Sequence, residues 1–246
     1  MAILSHDDPL AISVTTAIQS GDVATLERLL AEHDELATVR IKNRRGSERT
    51  LLHVVTDWPG YFPNGPAMVS LLLRSGADPN AAIIGGRFPE TPLHLAASND
   101  DADVADLLIE AGADLQAPDG CIGTPLDNAV AFGCWHVARR LVAAGAPIDD
   151  LWHAAGLGDL GRMDELLAAS PPPSQMDIDE AFWQSCHGGQ RRAAERLLNA
   201  GADINFVPGF SDHTTPLDTA RGPSTRRENL IEWLESMGAE SAVETN

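Results

Sequence analysis

Two short motifs recur along this chain of 246 residues at a spacing that constrains the fold. Gly-Ala-Asp occurs at 76–78, 112–114 and 201–203, with variants at 145–147 and 238–240. Thr-Pro-Leu occurs at 91–93, 124–126 and 215–217, and its first two copies begin 33 residues apart. A period of about 20–50 residues is typical of chains that stack one small structural unit on the next. The spacing therefore predicts an array of repeats instead of one or two globular cores.

Each repeat predicts a pair of short helices. Threonine is a favourable N-cap, proline suits the first helical position, and leucine begins an apolar face. A second helix follows with paired leucines, at 29–30, 72–73, 107–108, 166–167 and 197–198. The glycine after it can take the left-handed conformation that ends a helix. Because one such pair cannot bury both of its faces, several pairs must stack.

Residues 91–96 read Thr-Pro-Leu-His-Leu-Ala, which resembles the hallmark of the ankyrin repeat over one complete motif. The resemblance extends over about 9–239 and implies an all-α fold, an α-solenoid of about seven helical hairpins joined by short β-hairpins. Residues 1–246 are then one array, with these parts: an N-terminal cap at 9–33, repeats at 48–77, 89–113, 122–146, 149–170 and 179–202, and a C-terminal cap at 213–239. The step from Gly145 to Ser170 is 25 residues instead of 33. We therefore expect a shortened connection between the fourth and fifth repeats.

Composition limits the partners and the compartment. Acidic residues outnumber basic ones by 36 to 17, and this net charge of −19 argues against a general binder of nucleic acid or anionic membranes. No run of apolar residues is long enough to predict a membrane span. Three cysteines without a C-x-x-C pair predict neither a disulfide framework nor a zinc site, and they suit a reducing cytoplasm. Lys42 is the only lysine, a bias that indicates a GC-rich genome. With the ankyrin resemblance, we expect a stand-alone repeat protein of bacterial source.

Motifs that could carry catalysis have simpler interpretations here. The pattern G-x-G-x-x-G at 156–161 follows a predicted helix instead of a strand, so we interpret it as a turn between helices. Cys186 and His187 are neighbours on a helix and point about 100° apart, which does not make a catalytic dyad. We therefore predict no enzyme, cofactor or metal, and we expect a monomer. For His53 and His94, the resemblance implies hydrogen bonds to neighbouring backbone.

The resemblance also implies where a partner protein, unknown from the sequence, would bind: at the hairpin tips and at the concave ends of the first helices. Carried over by position, the expected partner-binding residues are Arg49, Asp57, Trp58, Tyr61, Phe62, Arg87, Phe88, Glu90, Ser98, Asn99, Phe132, Leu157 and His187. Aromatic side chains on loops of a rigid scaffold are typical anchors. The opposite interpretation of residues 58–66 is that this loop only packs on its own helices.

Charge is distributed unevenly. Residues 40–49 carry five basic residues and one acidic residue, a net charge of +4, which leaves −23 for the rest of the chain. Such a segment can contact an acidic partner or a phosphate, or it can be a solvated tip that balances nearby carboxylates. The sequence does not decide whether this segment or 58–66 makes the main contact. A different class of function, a small-ligand or enzymatic site, would use the cluster Trp152, His153, Trp183 and His187.

Overall fold

The computed structural model describes residues 2–210, 213–222 and 227–242, and most of these residues are helical. The helices before residue 147 are α1 Pro9–Ser20, α2 Val23–Glu32, α3 Leu51–Thr56, α4 Gly65–Arg74, α5 Pro92–Ser98, α6 Ala102–Glu110, α7 Pro125–Ala131 and α8 Trp135–Ala143. The later helices are α9 Leu151–Leu157, α10 Leu160–Leu167, α11 Gln175–His187, α12 Arg191–Asn199, α13 Pro216–Ala220 and α14 Glu228–Ser236. The all-α repeat fold predicted from the two motifs is confirmed.

The chain divides into two compact units, Met1–Ala146 and Pro147–Asn246. In the N-terminal unit the first helices of the repeats, α1, α3, α5 and α7, pack side by side in one layer, and α2, α4, α6 and α8 pack in a second. In the C-terminal unit α11 packs between α9 and α13, while α12 packs on α10. Part of the last predicted repeat, 223–226, lies outside the described residues. That all seven repeats form one array stays a prediction.

Apolar side chains, most of them aliphatic, form the core of each unit. In the N-terminal unit, Leu51 and Leu52 of α3 and Leu93 of α5 are completely buried. In the C-terminal unit, Phe182 and Leu197 occupy the same kind of position. Small helices stacked at short spacing leave room for alanine and leucine more than for large rings, which accounts for the 5% aromatic content.

Local capping sets where the first helices begin. Thr91, Thr124 and Thr215 each form a capping box with the residue three positions later, as the Thr-Pro-Leu motif predicts. Helix α11 begins at Gln175, one turn before the expected start of its repeat at 179. The reason is a further capping box, in which the Ser174 hydroxyl and backbone N–H bond to the Asp177 carboxylate, both at 2.7 Å.

Near the N-terminus the expected two-stranded hairpin is extended by a third strand into a small sheet. Strands β1 Ile3–Ser5, β2 Arg40–Lys42 and β3 Glu48–Thr50 lie in that order, with β1 parallel and β3 antiparallel to β2. The antiparallel pair is the expected β-hairpin, whereas β1 has no counterpart in the repeat pattern. The connection over 111–124 consists of turns without strands.

The connection between the fourth and fifth repeats is short, as expected. Only residues 144–150 link α8 to α9, whereas residues 111–124 link α6 to α7. The G-x-G-x-x-G pattern falls on the turn after α9, where Gly158 takes a positive φ of 74° as the helix C-cap. Its interpretation as a turn is confirmed. Within the described ranges, every helix is too short or too polar to cross a membrane.

Candidate partner-binding surface

The two motif histidines connect each repeat to the next. The backbone N–H of Thr50 donates to Nδ1 of His53 at 3.1 Å, so the ring proton lies on Nε2, which donates to the Glu90 carbonyl at 3.0 Å. His94 repeats this arrangement, with Nε2 3.0 Å from the carbonyl oxygen of Gly123. The predicted hydrogen bonds to neighbouring backbone are confirmed. They explain why the first helices stack in register.

Burial keeps these rings neutral. It lowers the pKa of His53 to about 4, and the positive charges of Arg40 and Arg49 act in the same direction. Burial also lowers the pKa of His94. A neutral ring can accept at Nδ1 while it donates at Nε2, which is the pattern that the repeat needs.

On the hairpin side, the predicted residues divide into exposed and structural ones. Arg87 is exposed, and its guanidinium lies 5.1 Å from the centre of the half-buried Phe88 ring. The Glu90 carboxylate is turned inward, where it accepts from the Cys121 backbone N–H and the Asn128 amide, each at 3.2 Å. Arg87 is therefore available to a partner, whereas Glu90 holds two repeats together.

The loop between α3 and α4, residues 57–64, is attached to the repeats on both sides of its own. Asn64 Nδ2 donates to the carbonyl oxygen of Gly21 at 2.9 Å, and the Tyr61 hydroxyl donates to the carbonyl oxygen of Asp100. The loop therefore packs across its neighbours, and these contacts hold its exposed side chains in place.

Three aromatic side chains project from the inter-helix turns of the N-terminal unit. Trp58 is 81% exposed and Tyr61 64%, both in the α3–α4 loop, while Phe132 at the end of α7 is 50% exposed. Phe62, in the same loop, is half-buried. Partial burial and the nearby carboxylates of Asp100 and Asp101 raise the pKa of the Tyr61 phenol, so it stays protonated at neutral pH.

Ser98 and Asn99, at the end of α5, form hydrogen bonds to neighbouring repeats. Asn99 Nδ2 donates to the carbonyl oxygen of Thr56 at 2.9 Å. The Ser98 hydroxyl donates to the carbonyl oxygen of His94 at 2.9 Å and accepts from the Asn128 amide at 3.1 Å. Both side chains tie successive first helices together at their concave ends.

In the C-terminal unit, Leu157 and His187 lie at the ends of α9 and α11 and are half-buried. Burial lowers the pKa of His187 to about 4, and its ring centre lies 5.2 Å from that of Trp183. The Trp183 indole N–H donates to the carbonyl oxygen of Thr214 at 3.0 Å, so this ring is fixed in the core. The geometry indicates a packed pair of rings.

The other pair of the alternative cluster is packed in the same way. The ring centres of Trp152 and buried His153 lie 4.0 Å apart. Trp152 also lines a cavity of about 230 Å³, together with Pro171 and Glu180. Partial burial raises the pKa of Glu180.

A cleft that was not predicted from the sequence lies at the start of the N-terminal unit. This N-terminal cleft has a volume of about 430 Å³ and lies between α1, the β2–β3 hairpin and α3. Its lining includes Ile12, Thr16 and Gln19 from α1, Ile41 and Arg49 from the hairpin, and Asp57 after α3. Of these, Arg49 and Asp57 were predicted as partner-binding residues. Their side chains form an ion pair, with Arg49 Nη1 2.6 Å from Asp57 Oδ2. The sequence signal for this cleft is Ile12, a large aliphatic residue that lies outside the buried face of α1.

Comparison with known proteins supports the architecture. A family model described as ankyrin repeats in three copies matches residues 61–150. This chain contains ankyrin repeats. It is 40% identical over 74 residues to the human protein "Ankyrin repeat and SOCS box protein 16", and 39% identical over 74 residues to its mouse counterpart.

The ankyrin matches cover only part of each protein. Each matched stretch of 74 residues is 30% of this chain and 16% of the relative's length. Ankyrin repeats in general are modules for protein–protein interaction. Only that general role carries over from the comparison, and the bacterial source stays a prediction.

Proposed function

We propose that this chain is a protein-binding module, a scaffold that recognises a partner protein through its hairpin tips and the concave ends of its first helices. The observation that carries the proposal is the exposure of Trp58, Tyr61 and Phe132 on turns of the N-terminal unit. Large aromatic side chains on a rigid support lose little conformational entropy on binding, and they dominate many interfaces. We assign these three as anchors of the interface.

The other predicted residues take supporting roles in this proposal. Arg87 offers a cationic contact beside its hairpin and the Arg49–Asp57 ion pair offers a polar one, while Leu157 and His187 are the equivalent contacts that we propose for the C-terminal unit. Ser98 and Asn99 contribute mainly by fixing the turn on which a partner would rest. Because the backbone is braced between repeats, we expect binding with little rearrangement.

We further propose a monomer that acts in the cytoplasm without catalysis, cofactor or metal. Burial raises the pKa of the Cys186 thiol to about 12 and that of Cys134 to about 12, so both are suited to remain reduced structural thiols. The net charge of −19 opposes general binding to nucleic acid.

The alternative function, a small-ligand or enzymatic site at Trp152, His153, Trp183 and His187, has weaker support. A general base works best with a pKa near the operating pH. Burial lowers the pKa of His187 to about 4, which leaves the ring a poor base at neutral pH. The ring contacts of Trp152 with His153 and of Trp183 with His187 are also explained by packing alone.

The proposal is tested by affinity enrichment from extracts of the source organism, with the whole chain as bait. The double variant Trp58→Ala/Phe132→Ala removes two exposed rings, so its free energy of unfolding should change by less than about 1 kcal/mol. We expect the wild type to enrich a specific protein and the folded double variant to lose it.

A matched control removes exposed apolar side chains elsewhere. Met176 and Met237 are 56% and 51% exposed and belong to the C-terminal unit, so Met176→Ala/Met237→Ala should keep the partner. A folded Trp58→Ala/Phe132→Ala variant that still binds would place the interface elsewhere. If no bait enriched any protein, the binding function itself would be wrong.

A further inference from the structure

We infer that the N-terminal cleft binds an acidic segment of a partner protein, a peptide that combines carboxylates with an aliphatic side chain. The inference rests on the proposed protein-binding function and specifies the chemistry of one partner. It follows from three observations: the shape of the cleft, the cations at the adjoining hairpin tip and the apolar surface inside the cleft.

The shape of the cleft suits a short peptide. Strand β1 pairs with β2, and His6, which follows β1, lines the cleft, while α1 forms one wall and the β2–β3 hairpin forms the other. The volume of about 430 Å³ accommodates a few side chains, but not a folded domain. A partner would therefore insert an extended segment or a loop.

Beside the cleft, the tip of the β2–β3 hairpin carries positive charge that the chain itself does not neutralise. Lys42 pairs with Glu48 at 3.3 Å, and Arg49 pairs with Asp57 at 2.6 Å. Two arginines at the tip of the hairpin, Arg44 and Arg45, are exposed. Across the described part of the chain, neither forms an ion pair with a carboxylate. These two cations can therefore attract an acidic partner.

One of these arginines is held in position. The guanidinium Nε–H of Arg44 donates to Nε2 of His6 at 2.9 Å, which ties the hairpin tip to the segment after β1. The turn between β2 and β3 is braced by the Asn43 carboxamide oxygen, which accepts from the backbone N–H groups of Arg45 and Ser47 at 2.9 and 3.1 Å. A prearranged cation loses less entropy when it binds a carboxylate.

The interior of the cleft is apolar enough to select a peptide over a bare anion. Ile12 is 52% exposed on α1, and Ile41 and Val54 are half-buried beside it. Thr16 and Gln19 supply uncharged hydrogen-bonding groups on the same wall. Aliphatic surface beside a cationic hairpin tip matches a segment with leucine or isoleucine between acidic residues.

A nucleic acid fits these observations less well. Polyphosphate backbones need many cations, whereas the rest of the chain carries a net charge of −23, and the isoleucines would stay uncovered. An oligonucleotide is therefore included in the test as a competing outcome.

The test measures fluorescence anisotropy of labelled octapeptides with the whole chain. One peptide contains six glutamates and two leucines, a second replaces the glutamates with lysines, and a third with glutamines. A single-stranded oligonucleotide is the fourth probe. We expect only the glutamate peptide to bind, with an affinity that falls as the salt concentration rises.

Paired variants locate the binding. Ile12→Glu places a carboxylate inside the cleft, and Arg44→Glu/Arg45→Glu reverses the charge of the adjoining hairpin tip, so each should lower the affinity by about tenfold or more. The controls are Met237→Glu, at a side chain of equal exposure, and Arg74→Glu/Arg139→Glu, with the same change in net charge on α4 and α8. We expect both controls to bind as the wild type does.

A charge-reversal experiment completes the test. The Arg44→Glu/Arg45→Glu variant should gain affinity for the lysine peptide. The inference is overturned if the glutamate peptide does not bind, or if the cleft variants bind it as well as the controls do. Preference for the lysine or glutamine peptide would refute the acidic partner while leaving peptide recognition intact. Binding of the oligonucleotide alone would count against both proposals.

Discussion

The imidazole Nε2 of His53 lies 3.0 Å from the carbonyl oxygen of Glu90, 37 residues further along the chain. The ring is completely buried and bonds at its other nitrogen to Thr50. One side chain thus caps its own helix and fixes the next repeat, so local and tertiary structure depend on the same residue.

We therefore expect His53→Ala to lower the free energy of unfolding by about 3 kcal/mol. The variant leaves a cavity and unpaired backbone groups, each of which costs about 1–3 kcal/mol. Urea denaturation followed by circular dichroism measures the change. His33→Ala, at an exposed helix end, is the control and should cost less than about 0.5 kcal/mol. Equal losses in the two variants would refute the structural role.

Stability should fall in mild acid because the buried ring of His53 and the half-buried ring of His187 resist protonation. The pKa values of His53 and His187 are each lowered from 6.5 to about 4. The unfolded chain therefore binds protons at a higher pH than the folded chain, and unfolding becomes easier as the pH falls from 6.5 towards 4. The slope is at most about 1.4 kcal/mol per pH unit for each histidine.

Urea titrations at about pH 7, 6 and 5 measure this effect. Above about pH 7.5 both rings are almost entirely neutral in either state, so their contribution there should be constant. His53→Gln should reduce the slope of the N-terminal unit, because glutamine does not titrate. An unchanged slope in that variant would show that other groups control the acid response.

A comparison of two glycines tests the anchoring of the α3–α4 loop. Gly21 and Gly46 both have positive φ, 72° and 89°, so alanine at either position is strained by about 1 kcal/mol. A Cβ at Gly21 would lie 2.4 Å from the carbonyl oxygen of Pro63, whereas nothing lies within 4 Å of one at Gly46. We expect Gly21→Ala to cost at least about 2 kcal/mol more than Gly46→Ala in thermal or urea unfolding. Equal costs would mean that the loop does not contact the first repeat closely.

The cysteines should react slowly with a thiol reagent in the native protein. Burial raises the pKa of Cys121 to about 11, and those of Cys134 and Cys186 to about 12. Few thiolates are therefore present at about pH 8, and access is limited as well. In a colorimetric disulfide-exchange assay, half-buried Cys121 should react first, and all three should react rapidly in denaturant. Rapid native labelling of Cys186 would contradict the packing of α11.

The helical pairs could be predicted from the sequence because their signals are local. Thr91 and Pro92 begin a helix through groups within one turn of each other, and Gly158 ends one because it tolerates a positive φ. Local signals also placed Trp58 and Tyr61 on a loop between helices. The prediction missed the early start of α11, although Ser174 and Asp177 carry the capping-box signal.

The contacts that shape the candidate surface depend on residues far apart in the chain. Ile3 pairs with Arg40 across the small sheet, and Tyr61 reaches Asp100 in the next repeat. No pattern within a window of a few residues specifies such partners.

The sequence by itself determined the repeat, the helical pairs and the position of the basic segment, because periodicity and capping act over a few residues. The tertiary structure decided which side chains face a partner: it turned Glu90 inward, left Trp58 outside and opened the cleft beside Ile12. Exposure is a property of packing, since a side chain is covered or free only once its neighbours from other repeats are in place.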